Sequence, residues 1–401
     1  MKKTKISSRL LEVPASPIRK LVPFATEAKK KGVKVYHLNI GDPDIKTPGV
    51  MVNVLKNWST NPIAYGQSQG QPKFLESLAW YYNKIGYSFV KTNNIQVTTG
   101  GSEAISMALF SVCAPGEEVI AFEPYYANYN SYAAINGVKV VPVLTKGETG
   151  FHLPERSEIE KKIGKKTKAI LICNPSNPTG TVYTKEEMEM LVSICVKNNL
   201  FLISDEVYRE FVYDGKKYFS ILNYMKKYPD KMVLLDSLSK RYSLCGARLG
   251  MIVSLNRDLM DGVLRIAQGR LSSGFVDQAM AEKLTEVKDS YFSAVHKEYQ
   301  ARRDVLYNGL KSIPGVFLEK PEGAFYTIVK LPVKNSEDFC QWLLEKYNYK
   351  NETVMVAPAA GFYGTRGMGK NEVRIAYVLN IHDLKKAIEI LRHALVEYNR
   401  K

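Results

Sequence analysis

Lys168-Ala-Ile-Leu-Ile-Cys173-Asn174-Pro-Ser-Asn177-Pro178-Thr-Gly180, then the segment Lys185–Lys197, then Leu200-Phe-Leu-Ile-Ser204-Asp205: this stretch decides the fold. Two short apolar runs, each stopped by polar residues, flank a helix-length segment. Such runs, about four to eight residues long, read as strands buried on both faces. A helical crossover between two of them makes the strands parallel. The two Asn-Pro steps at 174–175 and 177–178 demand extended backbone before each proline and so predict a rigid turn that fixes the Asn177 amide in space.

The same alternation extends outward from Gln71 to Leu255. Helices are expected over Pro72–Lys84, Ser102–Cys113, Tyr126–Ile135, Glu155–Ile163 and Lys185–Lys197. Strands are expected over Ile95–Thr98, Glu118–Phe122, Val138–Leu144, Lys168–Cys173, Leu200–Ser204, Met232–Leu235 and Gly250–Leu255. The expectation is an α/β fold, a mostly parallel sheet covered by helices, with ligands bound beyond the carboxyl ends of its strands. After about Gln278 the pattern changes to a smaller α+β unit: a long helix Ala279–Leu310, strands at Val316–Glu319, Phe325–Leu331, Val354–Ala357 and Val373–Leu379, and a closing helix Asp383–Glu397. The first ~45 residues show no repeating pattern of their own. A chain of 401 residues is long for one core and suggests two domains.

Composition narrows the function classes. Hydrophobic residues make up 45% and charged residues 24%, as in ordinary globular proteins. No apolar run reaches the ~18 residues of a membrane span, and the basic start Met1-Lys-Lys-Thr-Lys is followed by no apolar core of a secretory signal. The net charge of +16 is spread over scattered lysines, with Lys29-Lys-Lys31 the longest run, which reads as a solvated surface and argues against a nucleic-acid partner. Five cysteines without paired spacing and five dispersed histidines argue against a metal centre and suit a reducing, cytoplasmic setting.

Polar residues gather at the predicted strand ends. Ser237-Leu-Ser239-Lys240 follows the run Met232–Leu235, and Arg248 stands between Gly246 and Gly250. A lysine at the end of a buried strand is close to low-dielectric surroundings, where a neutral amine can form a Schiff base with an aldehyde. Ser237, Ser239 and Arg248 suit a phosphate, and an aldehyde that carries a phosphate is pyridoxal 5′-phosphate (PLP). Gly100-Gly101-Ser102-Glu103 opens a helix, where backbone N–H groups can close on a phosphate. Tyr126 could stack on a flat cofactor. Asp205, a carboxylate at a buried strand end, needs a cation such as a protonated pyridine nitrogen. Arg374, inside an apolar strand, wants a carboxylate or phosphate. Two decoys fail. Ser237 and Lys240 match the Ser-x-x-Lys of serine acyl enzymes, but the companion Ser-Asp-Asn and Lys-Thr-Gly are missing. Gly364-Thr-Arg-Gly-Met-Gly369-Lys370-Asn371 nearly matches a nucleotide loop, but Asn371 replaces the Ser or Thr, and a strand follows instead of a helix.

In this order the motifs resemble the class I and II aminotransferases of PLP fold type I, the aspartate aminotransferase family. The resemblance runs from Leu38-Asn-Ile-Gly41-Asp-Pro43 and Tyr65-Gly-Gln-Ser-Gln-Gly70, through the stretches quoted above and Asp205-Glu-Val-Tyr208, to Gly323-Ala-Phe-Tyr326 and Arg374. It implies that Lys240 is the Schiff-base lysine and proton shuttle and that Asp205 pairs the pyridine nitrogen. Asn177 and Tyr208 would hydrogen-bond the phenolic oxygen. Gly101, Ser102, Ser237 and Arg248 would bind phosphate with Glu103 nearby, and Tyr65 would reach the phosphate of a neighbouring subunit in a homodimer. Arg374 would grip the substrate α-carboxylate beside Gly41 and Asn177. Tyr126 stands where a tryptophan often stacks. The implied division is an arm with part of the small domain over 1–45, a large PLP-binding domain over 46–288 and a small domain over 289–401. The expected activity is transfer of an amino group from an L-amino acid, aspartate by preference, to a 2-oxo acid, 2-oxoglutarate by preference, with ping-pong kinetics. A β-lyase, decarboxylase or synthase on the same scaffold is the alternative, and a PLP-binding regulator a remote one. A dicarboxylate needs a second cation, for which Arg270 is the candidate.

Overall fold

The protein is described here by a computed structural model that covers residues 6–400; the basic residues Met1–Lys5 lie outside the described residues. Among the described residues, twelve strands occur in chain order: β1 Lys34–His37, β2 Ile95–Thr99, β3 Glu118–Glu123, β4 Lys139–Leu144, β5 Thr167–Cys173, β6 Phe201–Asp205, β7 Met232–Ser237, β8 Leu249–Val253, β9 Tyr326–Lys330, β10 Glu352–Met355, β11 Ala357–Pro358 and β12 Glu372–Ala376. Seven form one sheet in the order β2-β8-β7-β6-β5-β3-β4. Only β8 runs against its neighbours, pairing antiparallel with β2 and β7, while the other pairings are parallel. The fold is thus α/β with a mostly parallel sheet covered by helices, as the alternation predicted.

Strands β5, β6 and β7 read as unbroken apolar runs because both their faces are buried. Ile170, Ile172, Leu202 and Leu234 join one core layer with Met188, Leu191 and Val192 of the helix Lys185–Lys197. The alternate residues Ala169, Leu171, Ile203 and Val233 join the opposite layer with Ala104 and Ala108 of the helix Gly100–Val112 and Val263 of the helix Arg257–Arg270. The period-two alternation of a strand therefore feeds two separate helix layers. The helix Lys185–Lys197 starts at a reciprocal cap: Glu187 N–H donates to Thr184 Oγ1 (3.2 Å), and Thr184 N–H donates to Glu187 Oε2 (2.7 Å).

Two further sheets, β11-β12-β9 and β1-β10, share a core with the helices Val22–Lys30, Asp289–Lys311 and Ile381–Tyr398. That core also takes in Tyr208, Phe211 and Tyr213 from beyond β6. Within the first ~45 residues, the helix Val22–Lys30 buries Ala25 and Ala28, and β1 pairs in parallel with β10. Two expectations need correction. The expected helix Ala279–Leu310 is interrupted. A helix ends at Ala281, a 3-10 turn spans Glu282–Glu286, Val287 and Lys288 are extended, and a new helix starts at Asp289. No proline or glycine marks this break; burial of Leu284 and Val287 and the bond from Ser77 Oγ to Glu282 O (2.9 Å) turn the chain, and these are tertiary effects. The expected strand Val316–Glu319 is reduced to one bridge, Phe317 to Lys330. Among the described residues no helix is long and apolar enough to cross a membrane.

Candidate active site

The carboxyl ends of β5, β6 and β7 open onto one cavity of ≈510 Å³, and Cys173, Asp205 and Ser237 sit on its wall. Gly250, on β8, lies against Gly100 and Gly101. A Cβ there would come within 2.6 Å of Gly101 N and closer still to Gly100 C, so glycine is what lets β8 carry the turn that starts the helix Gly100–Val112. Gly100 itself has φ +76, and a Cβ on it would meet Arg248 Nη2 at 2.6 Å. Arg248, exposed and in the left-handed region at φ 53, donates to Cys245 O (3.1 Å). Gly101, Ser102, Ser237 and Arg248 therefore line one end of the cavity. The Ser237 hydroxyl donates to Leu249 O (2.8 Å) and accepts from Ser239 N–H (3.1 Å).

Lys240 follows on the short helix Leu238–Arg241. It is half-buried and reaches into the cavity, where Nζ donates to Gly41 O (2.7 Å) with Cys245 Sγ 3.5 Å away. Gly41 is held close because a side chain there would overlap the Tyr326 hydroxyl. Tyr326 and Tyr208 share a hydrogen bond of 3.2 Å. Tyr126 lines the same space, its hydroxyl accepting from Asn128 Nδ2 (2.8 Å).

Asp205 is 5% exposed. Its carboxylate accepts from Tyr129 Oη (3.0 Å) and Val207 N–H (3.4 Å), and no cation among the described residues pairs with it. Burial pushes its pKa up to about 7, more than these two donors offset. Arg374 shows the opposite imbalance. It is 2% exposed, donates to Asn177 Oδ1 (3.0 Å) and Asn39 O (2.6 Å), and stacks over the rings of Tyr326 and Phe362. No carboxylate meets it among the described residues, its Nε lacks a partner, and burial lowers its pKa. The Asn-Pro turn thus carries Asn177 within hydrogen-bond reach of Arg374.

Three predicted site residues stand off the cavity wall. Glu103 accepts from Thr99 N–H (2.6 Å) and pairs with Arg270 Nε at 3.2 Å. Arg270 also donates to Val97 O (3.1 Å). Tyr65 is 84% exposed in the single chain. Other residues on or near the wall had no role assigned from the sequence. Tyr129 reaches Asp205 from the helix Asn128–Asn136, and the cluster Tyr125, Tyr126, Tyr129 was a usable signal for it. Ser16, Ile18 and Arg19 line the mouth without any local signal.

These residues fit PLP. An unbalanced buried carboxyl suits a ring N–H⁺, an amine suits an aldehyde, and a glycine turn at a helix start beside Arg248 suits a phosphate. A buried arginine without an anion suits a carboxylate.

Comparison with known proteins gives the same direction. The aminotransferase class I and II family matches residues 33–391. An aspartate aminotransferase of Pyrococcus horikoshii is 31% identical over 400 residues, covering 97% of each chain. Among solved structures, the aspartate aminotransferase of Thermus thermophilus with maleate superimposes with a TM-score of 0.86 at 27% identity, over 98% of this chain and 100% of that one. An alanine aminotransferase of Pyrococcus furiosus superimposes with a TM-score of 0.87 at 28% identity, again over 98% and 100%.

Proposed function

The chain belongs to the class I and II aminotransferases, a PLP-dependent family, and from that premise we propose that this transaminase moves the amino group of aspartate to 2-oxoglutarate in the two half-reactions of a ping-pong cycle. The observation that carries the reading is the pair of opposite, unmatched buried charges on one cavity, Asp205 and Arg374. A cofactor cation would balance the first and a substrate carboxylate the second. The aspartate aminotransferases among the relatives and the dicarboxylate maleate in the Thermus structure support the choice of substrates.

PLP, when bound, supplies an electron sink for the charge left as a substrate Cα proton departs. Asp205 would keep the ring nitrogen protonated. Gly101, Ser102, Ser237 and Arg248 would hold the phosphate, with Glu103 behind them and Tyr65 contributed across a homodimer interface. Tyr126 would cover the ring, and Asn177 and Tyr208 would donate to the phenolic oxygen. Lys240 Nζ, resting on the Gly41 carbonyl, would carry the aldehyde in the resting enzyme and then move the Cα proton. Arg374, steadied by Asn177 and Asn39, would orient the α-carboxylate beside Gly41. The cavity would lie between a large domain over 46–288 and a small one over 289–401, with the arm 1–45 alongside. The five free cysteines suit a reducing compartment such as the cytoplasm.

The test is direct. Purified protein is expected to be yellow, and borohydride should fix the cofactor's mass on the peptide that contains Lys240. A panel of twenty amino acids against 2-oxoglutarate, pyruvate and oxaloacetate should give aspartate with 2-oxoglutarate the highest kcat/KM. A colourless protein that takes up no PLP would overturn the cofactor assignment, and a different best pair would overturn the substrates.

A further inference from the structure

The formally charged residue types on the cavity wall are out of balance: four cations, Arg19, Lys240, Arg248 and Arg374, face one carboxylate, Asp205. On the reading above, the cofactor engages Lys240, Arg248 and Asp205, and an α-carboxylate engages Arg374. One cation remains. We infer that Arg19 is the specificity-determining cation of this enzyme, binding the side-chain carboxylate of a dicarboxylic amino acid or 2-oxo acid at the cavity mouth.

What separates Arg19 from an ordinary solvated arginine is the segment that carries it. Residues 16–20 form a tight turn, with Arg19 N–H and Lys20 N–H both bonded to Ser16 O (3.2 and 3.1 Å). The turn is seated at three points. Pro17 packs on Gly361, where a Cβ would come within 2.6 Å of the proline ring. Ile18 packs on the cluster of Ala127, Phe151, Ile328 and Phe362. Ile18 O accepts from Asn39 Nδ2 (3.1 Å), and Asn39 O in turn accepts from Arg374 Nη2 (2.6 Å). One asparagine thus joins the backbone under Arg19 to the guanidinium that would hold the α-carboxylate. The neighbouring Lys20 is spent on Glu337 at 2.5 Å, whereas Arg19 has no ion pair or side-chain hydrogen bond among the described residues. Arg270, the other candidate, is already paired with Glu103 and stands off the wall.

The experiment uses the holoenzyme and the variants Arg19→Gln, Arg19→Lys and Arg270→Gln. Losing a charge-assisted hydrogen bond costs roughly 10- to 100-fold in affinity. Arg19→Gln should lose about that factor in kcat/KM for aspartate and 2-oxoglutarate, mainly through KM, with a much smaller loss for alanine and pyruvate; Arg19→Lys should restore part of it. Calorimetric titration of the wild type and Arg19→Gln with succinate and with propionate reads the same contact without turnover, and only succinate should weaken. That titration still decides the role of Arg19 if no amino transfer is found, so failure of the transaminase reading is seen separately. Equal losses for both substrate classes, no loss, or a dicarboxylate-selective loss that follows Arg270→Gln instead would overturn the inference.

Discussion

Asp205 and Asp236 sit at the carboxyl ends of the adjacent strands β6 and β7, both buried, yet their surroundings differ in kind. Asp236 accepts from Arg241 Nη2 (2.8 and 2.9 Å) and Tyr82 Oη (2.9 Å), and Arg209 stands 3.3 Å away. Glu206 and Glu210 complete the cluster, with Arg241 Nε 2.6 Å from Glu210. Burial alone would raise the pKa of Asp236, but the two arginines outweigh it and the pKa falls. For Asp205 burial wins, and the pKa rises to about 7. The cluster behind the Lys240 helix pairs its opposite charges with one another, although the Arg209 nitrogens make no hydrogen bond; the cavity in front leaves Asp205 and Arg374 without counter-ions among the described residues. On the proposed function, the charges matched within the chain would hold the fold, and those left unmatched would meet a ligand.

The largest effect should come from the front. On the proposed function, Lys240→Ala would remove both the amine and the proton carrier, and a loss of about 10⁴-fold or more in kcat is expected, while the urea midpoint of the cofactor-free protein changes little. Near-normal turnover would show that this lysine is not in the reaction. Asp205→Ala should cost about 10³-fold in kcat, about 4 kcal/mol, with PLP still bound by its absorbance band. In cofactor-free protein the same change should raise stability at neutral pH, because a buried carboxyl without a cation disappears.

The cluster behind should behave in the reverse way. Asp236→Ala strands Arg209 and Arg241 without their shared carboxylate, and the expected cost is about 3 kcal/mol of stability, read as a lower urea midpoint. The kcat of the folded fraction should fall far less than in Asp205→Ala. A variant of unchanged stability would break the contrast, since it would show that the paired cluster does not hold the loop.

The chain displays these two regions unequally. What sits at strand ends was legible, because an apolar run followed by a polar residue marks where a sheet ends: Asp205, Asn177, Ser237 and Lys240 were found that way. Whether a charge at such a place is matched was not legible. Asp236 and Asp205 look alike in one dimension, and the arginines that distinguish them arrive through loops. The mouth of the cavity was hidden for the same reason. Ile18 meets Asn39, and Pro17 meets Gly361, across separations that no local pattern announces. The break at Val287 also escaped, since the helical pattern runs through it and only burial turns the chain. Likewise Glu103 is at the helix start where a phosphate role was expected, but its nearest charged partner is Arg270.

The pH dependence sharpens the comparison further. Asp205 has a folded-state pKa of about 7 against an ordinary 3.8, so the penalty for its ionised form is absent below 3.8 and complete above 7. Cofactor-free protein should therefore lose stability as pH rises across that window. PLP should remove most of this loss by pairing the carboxylate. If the slope is the same with and without PLP, Asp205 does not meet the cofactor.

A third cluster, matched within the chain, gives the smallest expected effect. His152 Nδ1 lies 2.9 Å from Glu187 and Nε2 lies 3.5 Å from Glu322, tying the start of the helix Lys185–Lys197 to the turn before β9. The hydrogen bonds that the ring donates to Glu187 and Glu322 outweigh burial and push its pKa up to about 9 from 6.5. The slope has the same sign as that of Asp205, because both pKa values are raised by folding, but its cause differs and the window is later: the imidazolium stabilises fully below 6.5, and its contribution is lost as pH rises through 9. The contacts are partly screened by water, so about 1 kcal/mol is expected. His152→Asn should remove the loss between pH 6.5 and 9, measured by urea unfolding. Because both acids that hold His152 belong to the chain, adding PLP should leave this step where it is. A step that moved with PLP would mean that the cofactor acts on the link between the Lys185–Lys197 helix and Glu322, and the division between matched and unmatched charge would fail at this cluster.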